Sequence, residues 1–203
     1  MKFFQSLKFS SEELIHLLHA WAAISFAFTI ILGGGVGVIG ANFLPIFFIA
    51  SITFGVAFLL HEIAHKVVAH WYGHWAEFRK FDWGLILAVG MSFFGFIFAA
   101  PGAVMIQGLV SRKQNGIISV VGPVVNLVLA GMFLVLGFVF SNTFGDLPEF
   151  VGLILYHGFF INSRLALFNM IPIFPLDGSK VIAWSVPIWF TVIGVSAFFV
   201  FFL

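Results

Sequence analysis

The sequence predicts an α-helical multi-pass membrane protein with about five or six transmembrane helices and one re-entrant or membrane-embedded β-hairpin. Of the 203 residues, 62% are hydrophobic and only 8% are charged, whereas a soluble domain carries about 25% charged residues to wet its surface. Four stretches contain no Asp, Glu, Lys or Arg: 14–61, 83–111, 114–145 and 181–203. About 20 apolar residues span the hydrocarbon core as a helix, so the first stretch has room for two spans.

The limits of the spans follow from the turn residues that interrupt these stretches. We place the first span at about 14–32, before a run of glycines. The second begins near Pro45 and ends near Tyr72, where Gly73 can stop a helix. The chain before the first span is predicted to be a short interfacial segment, because acidic residues precede the apolar run. Later spans are predicted at about 117–140, 150–168 and 181–203.

Residues 76–110 do not fit a single span. Several glycines and Pro101 interrupt an apolar, β-tolerant run, which predicts the hairpin, with an added transmembrane helix within 84–101 as the alternative. All nine Lys and Arg residues fall on one side if this segment leaves and returns on the same face, which favours the hairpin. The positive-inside rule then places the N-terminus in the cytoplasm, with the protein in the cell membrane.

His61, Glu62 and His65 form an H-E-x-x-H pattern within the second span. Residues four apart share one face of a helix, so both histidines can bind one metal ion. Glu62 lies about 100° around the helix and can act as a base beside that ion. A rise of 1.5 Å per residue from Pro45 puts His61 roughly 24 Å along a core about 30 Å thick. Ionisable residues at such a depth usually mark function, so the pattern predicts a metal centre within the membrane, nearer its cytoplasmic face.

A catalytic zinc ion of this kind needs a third protein ligand. The chain has no Cys, so that ligand must be a His or a carboxylate. Asp177 is favoured, because Pro172 and Pro175 break the hydrophobic region before it. Irregular backbone at membrane depth is tolerated where it is buried in protein or lines a wet cavity. A loop aspartate that caps the next helix is the alternative.

Three motifs occur in an order that resembles the site-2 proteases, the intramembrane zinc metalloproteases of regulated intramembrane proteolysis. They are His61-Glu62-Ile63-Ala64-His65, Gly122-Pro123-Val124-Val125-Asn126 and the segment from Asn169 to Asp177-Gly178. The resemblance covers about 44–190 of a single domain, 1–203, and implies a compact form without PDZ-like or CBS-like domains.

The resemblance also implies roles for individual residues. His61, His65 and Asp177 would bind one zinc ion per chain, and Glu62 would be general base and proton donor. Asn169 would bind substrate or stabilise the oxyanion, as an amide can. Gly122 and Asn126 would belong to the substrate-binding part of the site. For Asn126 an interhelical hydrogen bond is the alternative, because polar groups commonly join membrane helices.

The expected partners are single-span membrane proteins and the lipid bilayer, and the net charge of +1 gives no indication of nucleic acid. Because a helix shields its own peptide bonds, we expect the substrate to pair in extended form with a strand edge near 78–81 or 103–107. This makes Val104 a predicted substrate-binding residue. Two alternatives are a membrane metal transporter, which gives Glu62 no special role, and a catalytically silent homologue that binds membrane segments.

Overall fold

The computed structural model describes residues 8–40, 42–97 and 100–203, which form mainly helices. Within these described ranges, four helices are long and apolar enough to cross a membrane: Ser11–Leu32, Phe43–Trp71, Arg112–Thr143 and Glu149–Asn169. Two shorter apolar helices cover Asp82–Ser92 and Val186–Phe202. The prediction of a mainly helical protein with apolar helices of membrane-spanning length is therefore confirmed.

The first two long helices pack together at an irregular turn. Helix α1 (Ser11–Leu32) faces a continuous helix in which a π-helical turn, Ser51–Gly55, separates α2 (Phe43–Ala50) from α3 (Val56–Trp71). Trp21 of α1 donates its indole N–H to the Ser51 carbonyl over 3.1 Å. A Cβ at Gly55 would lie 2.5 Å from the Trp21 ring. The wider turn and the absent side chain thus allow α1 to approach the helix that carries the H-E-x-x-H pattern.

The segment predicted as a hairpin contains two strands and a helix. Strands β1 (Trp75–Lys80) and β2 (Gly102–Gln107) pair antiparallel, with Trp75 opposite Gln107. Helix α4 (Asp82–Ser92) lies between them in the sequence. Its 11 residues span about 16 Å, roughly half of the hydrocarbon core, so α4 alone does not cross a bilayer. The strand pairing agrees with the prediction, whereas re-entry of this segment into the membrane remains a prediction.

The C-terminal half is built around one long helix. Helix α5 (Arg112–Phe144) packs against α3, α6 (Glu149–Asn169) and α7 (Asp177–Trp184). The span predicted at 181–203 is divided in the structure, because Ser185 is extended and α8 (Val186–Phe202) starts anew after it. Pro187 stands in the first turn of α8, where its missing N–H breaks no helical hydrogen bond.

A buried ion pair joins α1, α3 and β1. Glu13 and Lys66 are 0% and 1% exposed. Lys66 Nζ donates to Glu13 Oε2 and, over 2.8 Å, to the Lys8 carbonyl. The Phe9 ring faces the same ammonium group, 4.0 Å from the ring centroid. Glu13 Oε1 accepts the backbone N–H of Phe78 over 3.0 Å. Both charges are therefore satisfied, as their burial requires, and the pair holds β1 against α3.

We expect Lys66→Met to lower the free energy of unfolding by about 3–5 kcal/mol, because Glu13 is left as a buried charge without its partner. The double variant Glu13→Leu/Lys66→Met should regain most of this loss. Lys80→Met, which removes an ion pair with the exposed Asp82, is the control and should change the melting temperature little. Thermal unfolding in detergent measures all three. Equal losses in Lys66→Met and Lys80→Met would contradict the role of the buried pair.

Candidate metal centre

Three donor atoms from distant parts of the chain converge at one point. His61 and His65 lie one turn apart on one face of α3, with ring centroids 4.6 Å apart, and Asp177 is the first residue of α7. Nε2 of each imidazole is 3.2 Å from Oδ2 of Asp177. All three side chains are buried. The structure thus brings together the three residues predicted to bind the metal.

Helix α5 provides the partners for the other ring nitrogens. His61 Nδ1 lies 2.6 Å from Asn126 Oδ1, and His65 Nδ1 lies 2.7 Å from the Ile118 carbonyl oxygen. Gly122 is one turn from both partners. A Cβ at this position would stand 2.6 Å from His61 Cε1 and from His65 Nε2. The two partners are eight residues apart on α5, with Gly122 midway between them, whereas the histidines are four residues apart on α3.

The donor set fits a zinc ion. An imidazole that donates through Nδ1 presents the lone pair of Nε2 to a metal, and such support of metal-binding histidines is usual. Donor atoms about 2.0 Å from a tetrahedral zinc ion are separated by roughly 3.3 Å. The observed separation of each Nε2 from Asp177 Oδ2 is 3.2 Å. Two neutral nitrogens and one carboxylate also match the ligands that catalytic zinc uses.

The loop before α7 places its first residue by close backbone packing. A Cβ at Gly178 would lie 2.2 Å from the Met170 carbonyl oxygen, so glycine is required for this approach. The same carbonyl accepts the indole N–H of Trp189 over 2.8 Å. The start of α7 is therefore held against the end of α6, and with it the carboxylate of Asp177.

The two oxygens of the Asp177 carboxylate face different groups. Oδ2 lies 3.2 Å from Nε2 of each imidazole. Lys180 Nζ lies 3.4 Å from Oδ1, the oxygen that does not face the histidines. One carboxylate oxygen is thus available to a metal while the other faces a cation.

Glu62 is the remaining acid at this point. It is buried, and one of its carboxylate oxygens lies within 4.8 Å of donor atoms of both histidines, so it could itself offer a ligand. Asp177 meets both Nε2 atoms more closely, at 3.2 Å. It completes a three-residue set and leaves Glu62 beside that set, as the 100° offset on the helix predicts.

Two other predicted site residues have partners other than the three donor atoms. Asn169 ends α6, and its Nδ2 donates to the Leu165 carbonyl over 3.0 Å. Val104 lies in β2 opposite Phe78. Within the described part of the chain, no hydrogen bond links Asn169 or Val104 to the donor set. Their assignment to oxyanion stabilisation and substrate binding therefore stays a prediction.

Asn162 of α6 belongs to the hydrogen-bond network around the centre, although the sequence analysis did not single it out. Its Oδ1 accepts from Asn126 Nδ2 over 2.9 Å, and Asn126 Nδ2 also donates to the Ala57 carbonyl over 3.3 Å. These contacts favour the interhelical hydrogen-bond alternative for Asn126. A polar side chain in the middle of an apolar helix usually has such a purpose, and that signal could have identified Asn162.

Comparison with known proteins supports zinc as the metal. The chain is 40% identical over 185 residues to "Putative zinc metalloprotease MJ0611" of Methanocaldococcus jannaschii, covering 90% of this chain and 89% of that protein. It is 33% identical over 157 residues to "Putative zinc metalloprotease YwhC" of Bacillus subtilis, covering 67% and 68%. "Zinc metalloprotease MJ0392" of M. jannaschii is 26% identical over 127 residues, which are 63% of this chain and 31% of that protein. No family model and no solved structure matches the chain.

The fold and the site together define a helical metalloprotein with helices of membrane-spanning length and a buried centre of two histidines and a carboxylate. The chain belongs to the family of zinc metalloproteases that these relatives represent. Zinc is accordingly its cofactor, and His61, Glu62 and His65 form a candidate site for it.

We expect Gly122→Ala to weaken zinc binding by about 10- to 100-fold, the usual effect of disturbing the support of metal-binding histidines. The added methyl group would stand 2.6 Å from both imidazoles, so the rings or α5 must move. Gly131→Ala lies further along α5, where a Cβ meets nothing within 4 Å, and should bind zinc like the wild type. Chelator competition in detergent measures both. Equal affinity in all three proteins would contradict the close packing at Gly122.

Proposed function

We propose that the protein is an intramembrane zinc metalloprotease of the site-2 type, which hydrolyses peptide bonds of single-span membrane proteins within or beside the bilayer. The observation that carries this proposal is the close approach of Asp177 to His61 and His65. The two histidines lie on a helix, Phe43–Trp71, that is apolar and long enough to cross a membrane. The printed names of the relatives support proteolysis as the reaction. The depth of the site along this helix supports a substrate within the membrane.

The proposed roles of the side chains follow from their positions. His61, His65 and Asp177 would hold the zinc ion. Bound zinc polarises a carbonyl oxygen and lowers the pKa of a water molecule to about 7. Glu62, beside the ligands, accepts a proton from the attacking water and returns it to the leaving amine as the peptide bond breaks. Asn169 keeps one amide hydrogen after its bond to the Leu165 carbonyl and can donate it to the oxyanion.

We further propose that the chain crosses the cell membrane several times, with the N-terminus and the opening of the site towards the cytoplasm. Basic residues cluster where α3 ends, in β1 and at the start of α5. The loops at the opposite ends of these helices, 33–42 and 145–148, contain no Lys or Arg. The positive-inside rule supports this orientation.

Replacing Glu62 with Gln tests the reaction. We expect Glu62→Gln to bind as much zinc as the wild type and to cleave single-span substrates at least about 100-fold more slowly, because general acid–base catalysis contributes about 10²- to 10⁴-fold. Asp177→Asn is the matched variant and should lose zinc as well as cleavage. Zinc content and cleavage of a substrate panel are measured on the same preparations in detergent.

Each contrary outcome has a definite reading. Loss of zinc in Glu62→Gln would assign Glu62 to the ligands instead of Asp177. Equal cleavage by Glu62→Gln and the wild type would exclude Glu62 as the base. If the wild type and Glu62→Gln both bind zinc and neither cleaves any substrate of the panel, the metal-transporter alternative is favoured.

Among the described residues, no hydrogen bond occupies the outer edge of β2, and an extended substrate can add there. The N–H of Phe78 points away from β2 towards Glu13, so Phe78 and its partner Val104 form a pair whose backbone groups face outwards on both strands. By alternation, Gly102, Val104 and Ile106 direct their backbone groups to the outer edge of β2. Glu13 of α1 occupies the corresponding edge of β1. We therefore propose that the substrate adds to β2 as a third strand.

The packing of β2 against α3 and α5 supports a link between this edge and the metal centre. The side chains of Val104 and Ile106 pack with Ala69 of α3 and Ile118 of α5 in one apolar cluster. The carbonyl of Ile118 is also the hydrogen-bond partner of His65. The strand that would bind the substrate therefore packs against Ile118, the residue whose carbonyl orients the proposed zinc ligand His65.

We expect Val104→Pro to reduce cleavage by about fivefold to tenfold without loss of zinc, because Pro lacks the outward N–H that would bind substrate, and one net hydrogen bond contributes about 1 kcal/mol. This N–H makes no bond to β1, so the sheet itself is retained. Val104→Ala keeps the N–H and controls for the shortened side chain. Cleavage rates and zinc content are compared in detergent. Equal rates in the Pro and Ala variants would contradict strand addition, and parallel loss of zinc and cleavage would indicate misfolding.

A further inference from the structure

We infer that Asn162 is a positioning residue of the metal centre, which acts through Asn126 to fix the tautomer of His61. The inference rests on the proposed function to the extent that His61 is taken as a zinc ligand. Among the described residues, Asn162 forms hydrogen bonds with Asn126 and the Gly158 carbonyl, and none with the donor atoms or with Glu62. Its effect on the centre is transmitted by hydrogen bonds across three helices.

A continuous series of hydrogen bonds connects α6 to the imidazole. Asn162 Nδ2 donates to the Gly158 carbonyl over 2.8 Å. Asn126 Nδ2 donates to Asn162 Oδ1 over 2.9 Å and to the Ala57 carbonyl over 3.3 Å. Asn126 Oδ1 lies 2.6 Å from His61 Nδ1. The three side chains are 1%, 0% and 3% exposed in the order Asn162, Asn126 and His61, so bulk water does not compete for these bonds.

Two backbone carbonyls determine the direction of every bond in this series. A carbonyl oxygen accepts but cannot donate, so Gly158 must face the NH2 group of Asn162, whose Oδ1 then faces Asn126. The Ala57 carbonyl likewise requires the NH2 group of Asn126. Both constraints turn Asn126 Oδ1 towards His61. The ring must therefore present N–H at Nδ1 and keep its lone pair at Nε2, the atom that faces the metal position.

The bond from Asn162 is the stronger of the two constraints on Asn126. It is 2.9 Å long, against 3.3 Å for the bond to the Ala57 carbonyl, and hydrogen bonds weaken as they lengthen beyond about 3 Å. Without Asn162, the amide of Asn126 can turn over and offer NH2 to His61. That orientation favours the tautomer with the proton on Nε2, which cannot bind a metal through that atom.

The test replaces Asn162 with Leu, which has nearly the same shape but no acceptor, and measures zinc affinity by chelator competition in the full-length protein. We expect zinc to bind about tenfold more weakly, at the low end of the range for residues that support metal ligands. Ser163→Ala is the matched control. Ser163 is as deeply buried and adjacent in α6, but its hydroxyl donates to the Phe159 carbonyl of its own helix. This variant should keep wild-type affinity.

A double-mutant cycle separates positioning from a merely structural effect. Asn126→Leu should weaken zinc binding by about 10- to 100-fold. Because Asn162 acts through Asn126, adding Asn162→Leu to that variant should cause no further loss. Unchanged affinity in Asn162→Leu overturns the inference, and so do additive losses in the double variant or an equal loss in Ser163→Ala. Zinc affinity is measured without substrate, so these outcomes are independent of whether the protein cleaves membrane proteins, which Glu62→Gln tests.

Discussion

The close approach of α5 to α3 at Gly122 is the constraint on which the rest of the centre depends. Because no side chain stands between the helices there, positions one turn to either side of Gly122 can reach the two imidazoles directly. The Ile118 carbonyl meets His65, and the Asn126 side chain meets His61. The two helices are thus joined by two hydrogen bonds, one on either side of their close approach at Gly122. Any larger residue at the middle turn would separate the helices and lengthen both hydrogen bonds together, so the glycine fixes the orientation of both rings at once.

Apolar surroundings make this arrangement rigid as well as necessary. An unpaired buried polar group costs several kcal/mol in a medium without water, so each polar atom near the centre must have a specific partner. The same low polarity strengthens the bonds that are made, and a network with every member satisfied has one preferred arrangement. The amides of Asn162 and Asn126 illustrate this, since the Gly158 carbonyl orients Asn162, and Asn162 together with the Ala57 carbonyl orients Asn126. Groups held in one orientation in this way are the condition for effective electrostatic catalysis.

Local patterns in the sequence predicted the long apolar helices and the pairing of His61 with His65, because composition and helical periodicity alone determine them. The sequence also drew attention to Asp177, which the structure places beside the histidines, because the prolines before it interrupt an apolar region where a carboxylate is unusual. Features that depend on contact between helices could not be read in this way. Examples are the π-helical turn at Ser51–Gly55, which accommodates a tryptophan of α1, and the part played by Asn162. The helix between β1 and β2 was open to prediction only as an alternative, because its apolar residues suit either a strand or a helix.

Helix α3 connects the metal centre to the sheet within one turn. His65 faces the metal position, and the adjacent residue, Lys66, faces about 100° away into the ion pair with Glu13. Glu13 in turn accepts the N–H of Phe78 in β1. The distance from the metal position to the sheet is therefore set by a rigid helix and a buried ion pair, not by a loop. A substrate strand paired with β2 would lie about 4.8 Å from β2. Main-chain hydrogen bonds, which any extended sequence can make, would hold it there. Selection in such a site would depend less on particular side chains than on how readily a membrane helix unwinds to present an extended segment.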